Sequence, residues 1–228
     1  MRNIVIFGGS GFVGRHYRNY IKEKFPAVNV LSLDIKPDSE SLFVDVREQI
    51  EIAENFGLND IIINLAAVHK TPGHPDYDYF ETNIRGAENV CQFAEKHNIS
   101  KIIFTSSIAP YGAAEEEKKE STLPQPNTPY GISKLVAEHI HKEWQASLQG
   151  RRLLILRPGV IFGKGENGNF TRLYHAIRKK RFFYPGRKDT IKACIYVKDL
   201  IQLSFQIFES YDEGSRIYNF AYAPGKSI

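Results

Sequence analysis

The sequence has little cysteine and no long hydrophobic run. Only two of its 228 residues are cysteine, Cys91 and Cys194, which gives neither a disulfide framework nor the ligand spacing of a zinc site. No stretch approaches the ~18 consecutive apolar residues that cross a bilayer. The apolar run near the N-terminus ends at glycines after four residues, unlike a signal peptide. We therefore expect a cytoplasmic protein in a reduced state, without a membrane partner.

The chain also lacks a large excess of positive or negative charge. The net charge is +4, and the only dense basic cluster spans residues 179–181. Such a cluster is typical of a solvated helix end, although it could also attract an anionic small molecule. No nucleic-acid-binding motif accompanies it, so we expect no nucleic-acid partner. The seven histidines show no metal-ligand spacing, and we expect no bound metal.

What the sequence does contain is an alternation of short β-branched runs with longer helical patterns. The composition, 42% hydrophobic and 25% charged, suits a domain with a sizeable core. Nearly continuous apolar strands are typical of a parallel sheet covered on both faces. We predict an α/β fold of Rossmann type, a doubly wound parallel sheet with a small C-terminal substrate-binding lobe. The predicted strands are 3–7, 28–33, 42–44, 60–65, 101–106 and 153–156, and the predicted helices are 12–25, 49–56, 81–97 and 130–148.

A glycine-rich loop directly follows the first predicted strand and opens the first helix. Gly8, Gly11 and Gly14 have the spacing G-x-x-G-x-x-G. A dinucleotide pyrophosphate needs close backbone approach, N–H donors and the positive end of a helix, and a Cβ in this loop would hold the phosphates away. The loop between a strand and a helix therefore predicts dinucleotide binding.

We predict that residues 1–158 form the NAD-binding domain. Residues 159–228, which several glycines divide, would form a smaller substrate-binding lobe interleaved with the last strands of the sheet.

Asp34 ends the second predicted strand, twenty residues after Gly14. A carboxylate there can accept hydrogen bonds from the adenosine ribose hydroxyls and would repel a 2′-phosphate, so NAD is favoured over NADP. The alternative is that Asp34 merely closes a turn at the strand end. Asp45 and Val46 follow the third predicted strand and could flank the adenine.

Tyr130 and Lys134 form a Y-x-x-x-K motif at the start of a predicted helix, where residues four apart share a face. A neighbouring ammonium and the positive nicotinamide ring of a bound cofactor both favour the phenolate and lower the pKa of a tyrosine. Tyr130 could then take a proton from a sugar or alcohol hydroxyl while hydride leaves for NAD.

The motif alone is not specific, because residues 20–24 and 184–188 match it too. The first of these lies away from the strand ends, and the second contains Pro185-Gly186 and cannot be one helix face. Only Tyr130 follows a strand that ends in hydroxyl residues. We therefore predict that the Ser107 hydroxyl holds the substrate oxygen beside the phenol, although a serine can also simply end a strand.

Further short motifs occur in a fixed order along the chain. They are GGSGFVG at 8–14, Asp34, NLAA at 64–67, Thr82-Asn83 with Gly86, residues 106–112, residues 130–134, Arg157-Pro158 and residues 195–200. Together they resemble the extended short-chain dehydrogenase/reductase superfamily, specifically its NAD-dependent epimerase/dehydratase branch of nucleotide-sugar enzymes. The resemblance covers essentially the whole chain.

This resemblance implies a role for individual residues. The catalytic residues would be Ser107, Tyr130 and Lys134, and Asn83 would be structural. The cofactor contacts would be Gly8, Gly11, Phe12, Val13, Gly14, Asp34, Asp45, Val46, Leu65, Ala66 and Ala67, with Tyr130 and Lys134. The substrate is expected to be a nucleotide sugar. Lys192 stands where many family members place an arginine on its diphosphate. From its position after the fourth predicted strand, His69 could also reach the substrate or the cofactor ribose, or it could lie in a solvated loop. The family commonly forms homodimers through two helices per subunit, here 81–97 and 130–148. The second helix is apolar over more than one face, so Trp144 or its neighbours could face the partner, or Trp144 could pack within its own subunit.

Departures from the family pattern leave alternatives open. No acid follows Ser107, which disfavours a dehydratase and favours a 4-epimerase or a keto-sugar reductase. Val160 stands where the family has an asparagine for the substrate phosphate, and residues 157–163 also resemble hydroxysteroid dehydrogenases. An alcohol- or hydroxysteroid-type dehydrogenase is therefore the alternative. A non-catalytic dinucleotide sensor ranks last, because sensors often lose the tyrosine or the lysine.

The position of Asp34 generates a prediction about cofactor choice. NAD should bind much more tightly than NADP, and Asp34→Ala should narrow the difference because the repulsion of the 2′-phosphate is removed. Calorimetric titration of both cofactors into both proteins measures this. Equal binding of the two cofactors by the unmodified chain would contradict the prediction.

Overall fold

The computed structural model describes residues 3–70, 73–114, 116–181, 191–222 and 226–227. Within them, strands and helices alternate as the sequence predicts. The strands are β1 Asn3–Phe7, β2 Asn29–Asp34, β3 Leu42–Phe43, β4 Ile61–Asn64, β5 Lys101–Thr105, β6 Arg152–Pro158, β7 Val160–Phe162, β8 Ile191–Lys192, β9 Cys194–Tyr196, β10 Gly214–Phe220 and β11 Lys226–Ser227. The α-helices are α1 Phe12–Lys24, α2 Asp76–Phe80, α3 Gly86–Lys96, α4 Pro129–Ala146, α5 Asn169–Arg178 and α6 Val197–Glu209.

Seven of these strands form one parallel sheet in the order β10-β6-β5-β4-β1-β2-β3. The order reverses direction between β1 and β4, whose neighbouring residues pair as Ile4 with Ile61 and Phe7 with Asn64. In open α/β sheets, ligands bind outside the carboxyl ends of the strands at such a switch point. The glycine loop after β1 and the loop after β4 both lie there.

The sheet is buried on both faces, which explains the continuous apolar strands. Residues 4–7 of β1 and 153–156 of β6 are inaccessible to solvent. One face packs against α3 and α4, and the other packs against α1 and α6. The two apolar layers fix the sheet between its helices and leave the strand ends open for a site.

The predicted helix over residues 49–56 is wrong. The structure places this segment in extended and irregular backbone. Ile50 is buried in the core, and Ile52 and Phe56 pack against the same cluster. Ile50 and Ile52 are two residues apart, a spacing that points side chains to one side of an extended chain but not of a helix. Phe56 completes the contact by packing its ring edge-on against Phe93 of α3.

The helix predicted over 81–97 begins earlier and is not uniform. Helical backbone starts at α2, passes through a π-helical turn over Glu81–Arg85 and continues as α3. Asn83 lies in that turn, where its amide holds both the N–H and the C=O of Val68 at 2.8 and 3.0 Å. π-turns inside helices frequently occur at functional sites.

The expectation that Trp144 faces a partner subunit is also wrong. Trp144 is buried in the core of its own chain, and the Arg151 guanidinium lies 4.7 Å from its ring centroid. Burial of the large ring between α4 and the sheet stabilises the monomer fold and leaves no free indole face for a dimer.

The C-terminal part combines two kinds of structure. β10 belongs to the main sheet beside β6, whereas β7 pairs with β9 and β8 with β11 in two separate two-stranded sheets. The domain boundary at residue 158 stays a prediction.

Over the part of the chain that the structure describes, no helix combines the length and the apolar character needed to cross a bilayer.

Candidate active site

The glycine loop fits tightly against the loop after β4. Gly8 has a φ of +80°, and a Cβ there would lie 2.9 Å from the Ala66 nitrogen. Its N–H donates to the Leu33 carbonyl at 2.8 Å. The helix α1 then begins at Phe12 with Gly11 as its N-cap, and Gly11 brings no side-chain cap. The first-turn N–H groups therefore point outward at the strand ends, as a phosphate site requires.

Asp34 ends β2 beside this loop, as predicted. Its carboxylate accepts the Ser10 N–H at 3.0 Å and the Lys36 N–H at 2.9 Å. The glycine loop is thereby tied to the end of β2. Sequence reasoning missed a second support, the buried Arg18, which donates to both carboxylate oxygens of Asp38 at 2.8 and 2.6 Å. This contact holds the pKa of the Asp38 carboxyl far below its usual range.

The other predicted cofactor residues lie at the ends of neighbouring strands. Leu65, Ala66 and Ala67 follow β4 and are half-buried. Asp45 is bound by Arg47 through a short ion pair, which also lowers the pKa of Asp45. The Val46 side chain is buried in the core, and the Val46 carbonyl accepts a hydrogen bond from the Asn89 side chain at 2.8 Å.

The start of α4 brings Tyr130 to the end of β5. The Thr128 hydroxyl caps the helix by accepting the Gly131 N–H at 3.0 Å, and Pro129 follows in the first turn. A Cβ on Gly131 would lie 2.7 Å from the Ala109 carbonyl oxygen, so only glycine allows α4 to approach this closely. In this arrangement the side chains of Tyr130 and Ser107 lie close enough to interact, and this interaction lowers the pKa of Tyr130. The two hydroxyls that the sequence pairs therefore lie side by side.

Lys134 lies one turn further along α4 and is 1% exposed. Its Nζ donates to the Thr105 carbonyl at 2.7 Å and lies 4.3 Å from the centroid of the Phe104 ring. Burial lowers the pKa of Lys134 to about 7, although the charge of Glu138 acts in the opposite direction.

The pKa of Tyr130 moves opposite to the direction that the sequence predicts. Burial raises it, and only the hydrogen bond with Ser107 lowers it. The physical reason is the burial of Tyr130 itself, because loss of water penalises the phenolate, while the Lys134 ammonium donates to the Thr105 carbonyl. Tyr130 is thus a neutral phenol until further charges act on it.

The two predicted substrate residues differ in their placement. His69 follows β4 with an exposed side chain, yet desolvation lowers its pKa and the charge of Lys134 acts in the same direction. His69 therefore lies within electrostatic reach of Lys134. Lys192 is exposed on β8, outside the main sheet. No contact among the described residues joins Lys192 to Tyr130.

The structure reveals a buried ion pair behind the predicted catalytic residues, and sequence reasoning did not assign this pair. Arg157 binds Glu138 with two hydrogen bonds, and Glu138 lies four residues after Lys134 on the same helix face. Asn83 donates to the Ser133 hydroxyl at 2.8 Å, which ties the π-turn to α4. The spacing of Glu138 from Lys134 was the available signal.

These features fit a bound dinucleotide. Gly8 leaves no room for a Cβ, the first turn of α1 presents its N–H groups, and Asp34 lies at the end of β2. The described residues contain no cluster of three or more His, Cys, Asp and Glu side chains that could hold a metal ion. The site is that of an α/β protein with a dinucleotide-binding loop, and Tyr130 and Lys134 lie on one helix at the end of β5.

A sequence model of the NAD dependent epimerase/dehydratase family matches residues 4–221, and the chain belongs to this family. The N-acetyl-alpha-D-glucosaminyl-diphospho-ditrans,octacis-undecaprenol 4-epimerase of Escherichia coli O157:H7 is 31% identical, over 97% of this chain and 68% of that protein. The GDP-6-deoxy-D-talose 4-dehydrogenase of Aggregatibacter actinomycetemcomitans is 25% identical, over 94% of this chain and 72% of that protein.

The fold is also found among solved structures. The UDP-glucuronic acid 4-epimerase from Bacillus cereus in complex with NAD has a TM-score of 0.82 at 21% identity, covering 99% of this chain and 79% of that chain. The predicted Rossmann-type α/β fold is confirmed. The family is NAD dependent, so the predicted cofactor and the predicted class of enzyme are confirmed as well.

The close approach of α4 to the turn after Ser107 generates a prediction. Gly131→Ala should lower the free energy of unfolding by about 1–3 kcal/mol, because the new methyl group overpacks against Ala109. It should also weaken the pairing of Tyr130 with Ser107. Gly57→Ala is the matched control, since a Cβ on Gly57 meets nothing within 4 Å. Urea denaturation of the two variants measures the effect, and equal stability would contradict it.

Proposed function

We propose that the chain is a 4-epimerase of a diphosphate-linked sugar, with a nucleotide sugar as the first candidate substrate. The observation that supports this most directly is the pairing of Tyr130 with Ser107 at the end of β5, beside the cofactor loop. No acid lies at residues 108–110 to eliminate water from the sugar. The 31% identical relative is named as a 4-epimerase, which agrees with this chemistry.

Each catalytic residue then has one task. The Ser107 hydroxyl binds the reacting sugar oxygen, and Tyr130 takes the proton of that hydroxyl. Lys134, when protonated, favours the phenolate of Tyr130. Bound NAD supplies the hydride acceptor and donor. It would be held by the glycine loop, Asp34 and the segments after β3 and β4, namely Gly8, Gly11, Phe12, Val13, Gly14, Asp34, Asp45, Val46, Leu65, Ala66 and Ala67.

The carrier of the sugar has two candidates. A nucleotide sugar is the one that the motifs favour. A polyprenyl diphosphate sugar is the second, because the name of the 31% identical relative contains such a carrier. Both carriers present a sugar on a diphosphate, and Lys192 and His69 would offer charge or hydrogen bonds to it. Parallel assays with a UDP-sugar and a polyprenyl diphosphate sugar separate them.

A 4-dehydrogenase or keto-sugar reductase is the second candidate reaction, because a 25% identical relative is named as a 4-dehydrogenase. An epimerase regenerates NAD in every cycle and keeps it bound, whereas a dehydrogenase must exchange it. Co-purification of NAD with the chain, together with turnover without added cofactor, would favour epimerisation. Turnover that requires a stoichiometric supply of NAD or NADH would favour the dehydrogenase.

The role of Tyr130 is tested by Tyr130→Phe. Turnover should fall by a factor on the order of 10²–10⁴, the usual contribution of a positioned acid–base group, while NAD binding is kept. Tyr20→Phe is the matched control, because Tyr20 has the same spacing to Lys24 but packs against Phe205 on the opposite face of the sheet. Activity of the Tyr130 variant within a few-fold of the parent would refute the assignment.

A homodimer through α3 and α4 is the proposed assembly. Ile132 of α4 is 40% exposed, and Leu135 and Val136 are half-buried. Light scattering at micromolar concentration should give the mass of two chains, and Ile132→Glu should give that of one. Leu58→Glu is the control, since Leu58 is 64% exposed away from α4. A single-chain mass for the parent would contradict this proposal.

The cytoplasmic location of the protein stays a prediction.

A further inference from the structure

A charged pair lies deep in the protein behind the tyrosine–lysine pair. Glu138 is 0% exposed and Arg157 is 2% exposed. Arg157 Nε donates to Glu138 Oε1 at 2.8 Å, and Nη2 donates to Oε2 at 2.5 Å. The Ser106 hydroxyl donates to Oε1 at 2.5 Å. Removing two charges from water is costly, and a buried ion pair is weak evidence for a stabilising role. The pair therefore calls for another explanation.

The position of Glu138 on α4 suggests what it acts on. It follows Lys134 by four residues, so both side chains lie on the face of α4 that packs on the sheet. The direct contacts of the Lys134 ammonium are the Thr105 carbonyl and the Phe104 ring, and neither is an anion. Glu138 thus supplies the negative charge that favours the protonated lysine.

Three other titratable side chains lie around Lys134, and none of them carries a negative charge at neutral pH. His141, on the same face of α4, is stacked on the opposite side of Phe104 at 4.0 Å between ring centroids. Burial lowers the pKa of His141 to about 4, so it is neutral at neutral pH. His69 approaches from the loop after β4, and its pKa is lowered as well. Tyr130 is a neutral phenol in the buried site. None of these groups offsets the positive charge of Lys134.

Arg157 in turn is fixed by more than Glu138. Its Nη1 donates to the Tyr111 hydroxyl at 2.8 Å, and its guanidinium carbon lies 4.8 Å from the centroid of that ring. The Tyr111 hydroxyl donates to Asn219 Oδ1 at 2.9 Å, on the neighbouring strand β10. Arg157 therefore cannot leave Glu138 without breaking several bonds. The carboxylate is held in one orientation relative to Lys134.

We infer that Glu138, oriented by Arg157, is a positioning residue that keeps the buried Lys134 protonated and so favours the phenolate of Tyr130. The inference rests on the proposed function for the use of that charge in catalysis. The charge coupling itself is a property of the chain and is measurable without substrate or cofactor.

The direct test is the titration of Lys134 by NMR in the chain labelled with ¹³C at lysine Cε. The resonance of Lys134 is assigned by its loss in Lys134→Met. In the parent it should titrate near pH 7, separated from ordinary lysines near ~10.4. In Glu138→Gln its pKa should fall by about 1 or more, as expected when a neighbouring opposite charge is lost. Glu143→Gln, an exposed change on the same helix, should leave the titration unchanged.

Catalysis provides a second readout. If the proposed epimerisation is observed, Glu138→Gln should lower kcat at neutral pH and move the alkaline limb of the kcat profile to lower pH, with KM nearly unchanged. Glu138→Asp, which retains the charge, should restore part of the loss. A purely structural residue would change the free energy of unfolding without shifting the alkaline limb of the kcat profile.

Removing one partner leaves a buried charge unpaired and is strongly destabilising. The double variant Glu138→Gln/Arg157→Met removes both charges and should still lower the pKa of Lys134. An unchanged pKa of Lys134 in either folded variant would overturn the inference. If neither folds, Glu138→Asp decides: the shorter side chain draws the carboxylate back from Lys134, so the pKa of Lys134 should fall, and an unchanged pKa overturns the inference. A chain that titrates as expected but shows no epimerisation refutes only the proposed function.

Discussion

Helix α4 turns a row of ionisable side chains toward the sheet, and the geometry of the site depends on how that row is buried. Lys134, Glu138 and His141 follow one another on one face, and none is more than 1% exposed. Each has a hydrogen-bond partner on a strand: Thr105, Arg157 and Asn64, respectively. Burying these groups is costly without directed bonds, and the bonds form in one placement of the helix. That placement also puts Tyr130 beside Ser107.

Carboxylates lie beside the glycine loop, and Asp34, the predicted ligand of the adenosine ribose, would favour NAD there. Asp34 accepts the N–H groups of Ser10 and Lys36 with different oxygens, and each oxygen retains a lone pair for a hydroxyl donor. Arg18 lies beside the loop, but Asp38 binds it through two hydrogen bonds. A 2′-phosphate at this place would meet the Asp34 carboxylate and an arginine already neutralised by its partner.

The sequence predicts those parts of the molecule that depend on local patterns. The buried strands, the glycine loop and the tyrosine–lysine spacing each lie within a few consecutive residues, and the structure has all three. The helix predicted for residues 49–56 is wrong because their few apolar residues fit an extended segment as well as a helix. Packing against the core determines which of the two forms. The pairing of Glu138 with Arg157 joins a helix to a strand across nineteen residues, so no local pattern shows it. The direction of the Tyr130 pKa likewise depends on burial, which spacing does not reveal.

Burial acts on the tyrosine and the lysine in opposite senses, and this explains why the site needs more than the two residues. Loss of water raises the pKa of Tyr130 and lowers that of Lys134, so the low-dielectric site favours the neutral phenol with a neutral amine over the phenolate with an ammonium. Two groups oppose this tendency. The Ser107 hydroxyl stabilises the phenolate by a hydrogen bond, and the Glu138 carboxylate stabilises the ammonium. The charge-separated state that a proton acceptor requires therefore depends on one group at each end of the pair, and the pair in isolation would not adopt it.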